Sequence, residues 1–343
     1  MRLSCAVARS IALLALSITW LALAAGRARP QDLSPERLGV LYNLDDGPAQ
    51  TIARLYARQR AVPDSNVLGI HLGQANVIAP EAFSRVRREA IDRLPGEVQS
   101  LALVWSRPFA VGCMSVTTAM AAGYRVAFCE PGCAATAPNP LYDEDGWLPA
   151  DTVGWLPAML IPSDDEALAR ALIERGIASD RSAPRGTLYL VRTSDRNRNV
   201  RAATYADVES ALSGRLRVVE LSAPVAGEVS GVLGYFTGTA HVEELHYVHF
   251  VPGAVADHLT STGGVLSGGS QTSVLAWLGQ GATASYGNVS EPCNLPGKFP
   301  DIGILMRHYL SGETVLEAYW KSVKMPGQGL FVGEPLARPY ARH

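Results

Sequence analysis

With 343 residues and 48% hydrophobic side chains, the chain is long enough to bury a large core, as one big domain or two smaller ones. A formal charge of −2, with no basic run and no basic–aromatic stripe, gives no ground for a nucleic-acid partner.

Arg2 and Arg9 flank the start of an uncharged apolar stretch, Ile11 to Ala25, which ends in small residues. This pattern predicts a secretory signal peptide over residues 1–25, cut near Ala25, because the stretch is short for a bilayer span. Cleavage takes away two arginines and moves the charge from −2 to −4. No later stretch is long and apolar enough to span a membrane, so the expected location is secreted or periplasmic. Residues 26–343 read as a single α/β domain, with a possible subdivision near 129–154.

Leu38 to Tyr42 predicts a strand, and Pro48 opens a helix running to Gln59. A strand over 67–72, a helix from Pro80 to about Arg93 and a strand over 101–105 follow. Strand–helix alternation with short links implies a doubly wound, mostly parallel sheet with helices on both faces. Ser115 to Ala122 predicts a small-residue helix, and 128–154 an irregular covering segment. Strands over 157–161, 186–192, 216–221 and 229–235 alternate with helices opened at Ser163-Asp164-Asp165 and spanning 205–212. Asp195 to Arg201 reads as a solvated turn. Helices over 302–310 and 314–323 precede a tail that reads as a last edge strand.

The polar residues of greatest interest lie between His241 and Asn294. One strand, Tyr247 to Pro252, is expected to end at Gly253 and release Asp257, His258, Thr260 and Ser261 onto a loop. A helix opened by Ser270 and a strand over 282–286 follow. That second strand empties into Gly287, Asn288, Ser290, Glu291 and Cys293. Loops at the carboxyl ends of neighbouring strands are where open α/β sheets bind ligands. His258 is the candidate general base, with Cys293 or Ser261 as nucleophile. Asp257, Thr260, Gly287, Asn288 and Glu291 are candidate ligand contacts, joined by Arg107 after the third strand as a possible anion holder. The plainer reading makes His258 a ring bonded to backbone and Asp257 the cap of a turn.

His241, His246 and His249 lack the spacing of a helical zinc site, so neither metal nor cofactor is expected. Four cysteines remain after cleavage: Cys113, Cys129, Cys133 and Cys293. They allow three pairings, and one disulfide among the first three with Cys293 free is the expectation.

The segments Pro252-Gly-Ala-Val-Ala-Asp257-His258-Leu-Thr260-Ser261, Gly281 to Pro292 and Gly333 to Pro339 resemble an uncharacterised family of secreted bacterial proteins. That family is found in species carrying exosortase, the membrane protein-sorting transpeptidase. Val62-Pro-Asp-Ser-Asn66 and Trp105-Ser-Arg-Pro108 also match, so the likeness spans nearly all of the mature chain. More distantly, the second half resembles the caspase–gingipain peptidases, which place His-Gly after one strand and Cys after the next. Here those places read Thr237-Gly238 and Pro252-Gly253-Ala254, and the dyad is missing. The resemblance implies a peptidase-like scaffold with a non-catalytic binding or accessory role, its partner an unidentified envelope protein or polymer. The alternative it leaves is a hydrolase built around His258.

Overall fold

The computed structural model describes residues 32–129 and 133–342, and the signal-peptide reading of residues 1–25 lies outside them. In chain order the first half comprises β1 (Leu38–Asn43), α1 (Ala49–Arg60), β2 (Val67–Ile70), β3 (Val77–Ile78), α2 (Pro80–Arg93) and β4 (Ser100–Val104). It continues with β5 (Ala110–Val111), β6 (Met114–Ser115), α3 (Val116–Ala122), α4 (Pro149–Val153), β7 (Ala158–Ile161) and α5 (Glu166–Ser179). The second half contains β8 (Thr187–Val191), α6 (Tyr205–Leu212), β9 (Arg217–Leu221), β10 (Val229–Thr237), β11 (Val248–His258) and α7 (Val274–Gln280). It ends with β12 (Ala284–Asn288), α8 (Ile302–Leu310), α9 (Val315–Ser322) and β13 (Gly329–Gly333).

Ten strands form one sheet in the order β2-β1-β4-β7-β13-β12-β11-β10-β8-β9. Parallel pairing runs through β2-β1-β4-β7 and again through β12-β11-β10-β8-β9. β13 closes the gap, antiparallel to β12, with a backbone bridge from Val332 to Leu160 of β7. The α/β, doubly wound, mostly parallel architecture is therefore present. The tail is not an edge strand as its position in the chain suggested; it is central. Its Gly-Leu-Phe-Val-Gly run is buried throughout, which suits a strand covered on both faces.

Apolar packing explains why these segments order. Trp320 of α9 stacks on Phe331 of β13 at 4.4 Å, and Tyr286 of β12 meets the same ring edge-on at 5.0 Å. Such aromatic pairs add about 0.5–1.5 kcal/mol each beyond their buried area. Helix starts follow local capping chemistry: Ser115, Asp165, Ser273, Asp301 and Thr314 each accept an N–H of the first turn. Ser273 rather than Ser270 opens α7, since only its side chain reaches the Leu275 amide.

The described residues of the irregular 128–154 segment are anchored to the body of the fold. Trp147 donates to the Ser100 hydroxyl at 2.9 Å, and Asn139 donates to the carbonyls of Trp320 and Val323. Beside the central strand, Arg60 at the end of α1 pairs with Asp180 after α5 and with buried Glu334 after β13. The Gly333-Glu-Pro-Leu-Ala-Arg338 stretch thus clamps the halves together. Loops from both halves also meet: Ser290 donates to the Cys113 carbonyl and Ser267 to Asn76.

Candidate functional site

Three loops of the second half enclose a crevice of about 350 Å³: those after β8 (Asn197, Arg198), β11 (Leu259 to Ser261) and β12 (Glu291 to Asn294). Asp195 holds Arg198 through its amide and its guanidinium, and Arg198 Nε donates to Thr260 Oγ1 at 3.1 Å. Thr260 in turn donates to Gln271 Oε1 at 2.8 Å, an oxygen that also receives the amide and hydroxyl of Thr262. The crevice is therefore a preformed polar surface. Ser261 lines it, half-buried.

Asp257 and His258 do not lie on that loop. β11 continues through Gly253, whose φ of +88° lets the strand pass a bend without stopping, and reaches His258. Sequence reasoning ended the strand at Gly253 because glycine usually marks a break. Here it marks a bend, and both residues are fully buried.

His258 Nδ1 accepts the indole N–H of Trp277 at 2.9 Å. Because an indole nitrogen only donates, Nδ1 holds a lone pair and the proton of the neutral ring sits on Nε2. Burial is the main cause that drives the ring from its ordinary 6.5 down to about 3, and the Arg201 charge adds to it. A ring with its one lone pair occupied and no tendency to charge is not a general base. Asp257 does not orient it: its Oδ1 accepts from Arg201 Nη2 at 2.5 Å, on a residue that also bonds the Thr237 carbonyl. Burial pushes the Asp257 carboxyl up, opposed by the Arg201 charge. Arg201, read from sequence as part of a solvated turn, is buried because it is Asp257's partner.

Cys293 is not a free thiol. It is bonded to Cys133, and Cys113 to Cys129, so two disulfides replace the single one expected. The Cys133–Cys293 bond lines the crevice, where Glu291 Oε1 accepts the Cys293 amide at 2.7 Å. Gly287 and Asn288 belong to β12 rather than to the loop after it. Gly264 donates to the Asn288 carbonyl, and a Cβ on Gly264 would lie 2.3 Å from the Gly287 oxygen. The paired glycines thus serve close backbone approach. Neither amide atom of the buried Asn288 has a hydrogen-bond partner among the described residues.

Arg107 stands apart from the other candidates. It follows β4 in the first half and pairs with Asp164 at 3.1 Å. His246 bonds the Glu243 carbonyl and His249 pairs with Glu228, both at the surface. The structure thus brings together Thr260, Ser261, Glu291 and Cys293, and adds Arg198 and Gln271, which sequence reasoning passed over. For the burial of His258 the available signal was the Trp277 indole, which as a buried donor calls for an acceptor.

No family model and no curated protein matches this chain.

Proposed function

We propose that the protein is an extracytoplasmic, non-catalytic binding or accessory protein whose ligand seats in the crevice between the loops after β8, β11 and β12. One observation carries this reading: His258, the histidine expected to act as base, has its lone pair consumed by Trp277, and the two cysteines that line the crevice, Cys133 and Cys293, are bonded to each other. Ser261 is left without His258 as a base, while Arg198, Thr260 and Glu291 offer hydrogen-bonding and charged groups to a polar partner. Two disulfides support an oxidising compartment, as does the predicted signal peptide. The resemblance to secreted proteins of exosortase-carrying bacteria supports a partner in the envelope, a sorted protein or a surface polymer.

The test is a photocrosslinking residue at Ser261 in producing cells, with the exposed Val126 as control position. A discrete adduct to an envelope component from Ser261 and none from Val126 is expected. Labelling of Ser261 in the oxidised mature protein by a fluorophosphonate would overturn the reading, as would equal adducts from both positions.

A further inference from the structure

The first half carries a second pocket, of about 390 Å³, that the crevice reading does not use. Within β2-β1-β4-β7 the chain moves outward from β1 to β2 and then crosses to β4 on the other side. The carboxyl ends of β1 and β4 are therefore a topological switch point, the place where such sheets hold ligands. The pocket opens there, lined by Asp46, Pro48, Gln74, Arg107 and Asp164.

Its floor is built rather than incidental. Buried Asn43 donates to the carbonyls of Gly73 and Arg107 and accepts the amides of Asp45 and Leu72, fixing the loops after β1, β2 and β4 together. Asp46 is only 8% exposed. Its Oδ2 accepts the Ser163 hydroxyl at 2.6 Å and the Ser106 amide at 3.3 Å, while Oδ1 accepts no hydrogen bond among the described residues. Ser106 Oγ in turn accepts the amides of Ser163 and Asp164, both at 2.9 Å. An oriented carboxylate with one free oxygen thus faces a cavity held by the ends of three strands.

Charge selects the ligand. Two carboxylates, Asp46 and Asp164, against one guanidinium, Arg107, leave the lining one charge negative, which disfavours phosphates and carboxylates. Arg107 spends one nitrogen on Asp164 and keeps others for an acceptor oxygen. We propose that this pocket binds a protonated amine bearing an adjacent hydroxyl or carbonyl oxygen, the ammonium on Asp46 Oδ1 and the oxygen on Arg107. An amino sugar and the amino terminus of a peptide share that chemistry.

Calorimetric titration of the full mature chain at low salt with glucosamine, glycinamide, glucose and inorganic phosphate tests it. Saturable binding of at least one amine is expected, with neither glucose nor phosphate bound. Preference for glucosamine assigns a glycan source, and preference for glycinamide a peptide terminus. Asp46→Asn removes the charged partner of the ammonium and Asp164→Arg turns the lining from one charge negative to one charge positive, and each weakens amine binding by about tenfold or more. The Asp164 side chain is 49% exposed, so Asp164→Arg carries the test if Asp46→Asn does not fold. No saturable amine binding, equal binding of glucose, or undiminished binding by Asp164→Arg overturns the proposal. Substitution at Ser261 leaves this binding intact, so the two sites fail or stand separately.

Discussion

Acid stability is the sharpest probe of His258, because its burial makes a signed claim. The ring's pKa falls from its ordinary 6.5 to about 3 in the folded protein. Between those limits the unfolded chain takes up a proton that the folded chain refuses, so stability falls as pH drops below the ordinary value and the loss saturates near the folded one. Each unit in that window is worth about 1.4 kcal/mol, so at about pH 4.5 the wild type has lost roughly 3 kcal/mol to this group alone. The comparison protein is His258→Gln, whose carbonyl oxygen can still accept from Trp277. Asp257 works in the opposite sense, since its raised carboxyl is protonated first in the folded state. Both proteins share it, so it largely cancels in the difference. Urea unfolding followed by tryptophan fluorescence, from about pH 7.5 to about pH 4.5, should show the wild-type advantage shrinking by roughly 3 kcal/mol. An advantage that stays constant within about 0.5 kcal/mol would mean an ordinary, accessible imidazole. That result would refute the buried-ring argument and reopen the hydrolase reading.

Two further perturbations test the surrounding structure. Arg201→Met strands a buried Asp257 carboxylate and is expected to cost about 3–5 kcal/mol, whereas adding Asp257→Leu should recover much of it. Equal losses in the single and double variants, measured by chemical unfolding, would show that the pair is not coupled. Replacing Cys133 and Cys293 by serine frees residues 160 apart and should cost as much as about 5 kcal/mol, against about 3 kcal/mol for Cys113 and Cys129, 16 apart. The reverse order in unfolding midpoints would contradict chain entropy as the source of the stabilisation.

Alternating apolar runs and proline-opened helices made the α/β class legible in the sequence, and β1, α2, β4, α3 and α8 fall within a residue or two of their predicted limits. Pairing across the sheet was not legible, because the choice between an edge and a central place for β13 depends on what packs on its second face. Trp320 supplies that face from α9. The site was legible by address and not by role. Thr260, Ser261 and Glu291 reach one crevice, but nothing local to His258 announces that its lone pair is occupied; the donor, Trp277, lies 19 residues on. Arg201 was misread for a similar reason: a run of arginines and asparagines looks solvated until its buried carboxylate partner, 56 residues away, is placed beside it.

The position of β13 also dictates an order of assembly. It is the last of the described strands in sequence order, yet it lies between β7 and β12, so both of those strands expose raw hydrogen-bonding edges until residues 329–333 have been made. Such edges are templates for pairing with other chains. Each half is thus an incomplete sheet during vectorial synthesis, and the keystone arrives after the nine strands it joins. A chain halted before Gly329 would carry two sticky borders in place of one closed sheet, so the hazard of misassembly is concentrated in that interval.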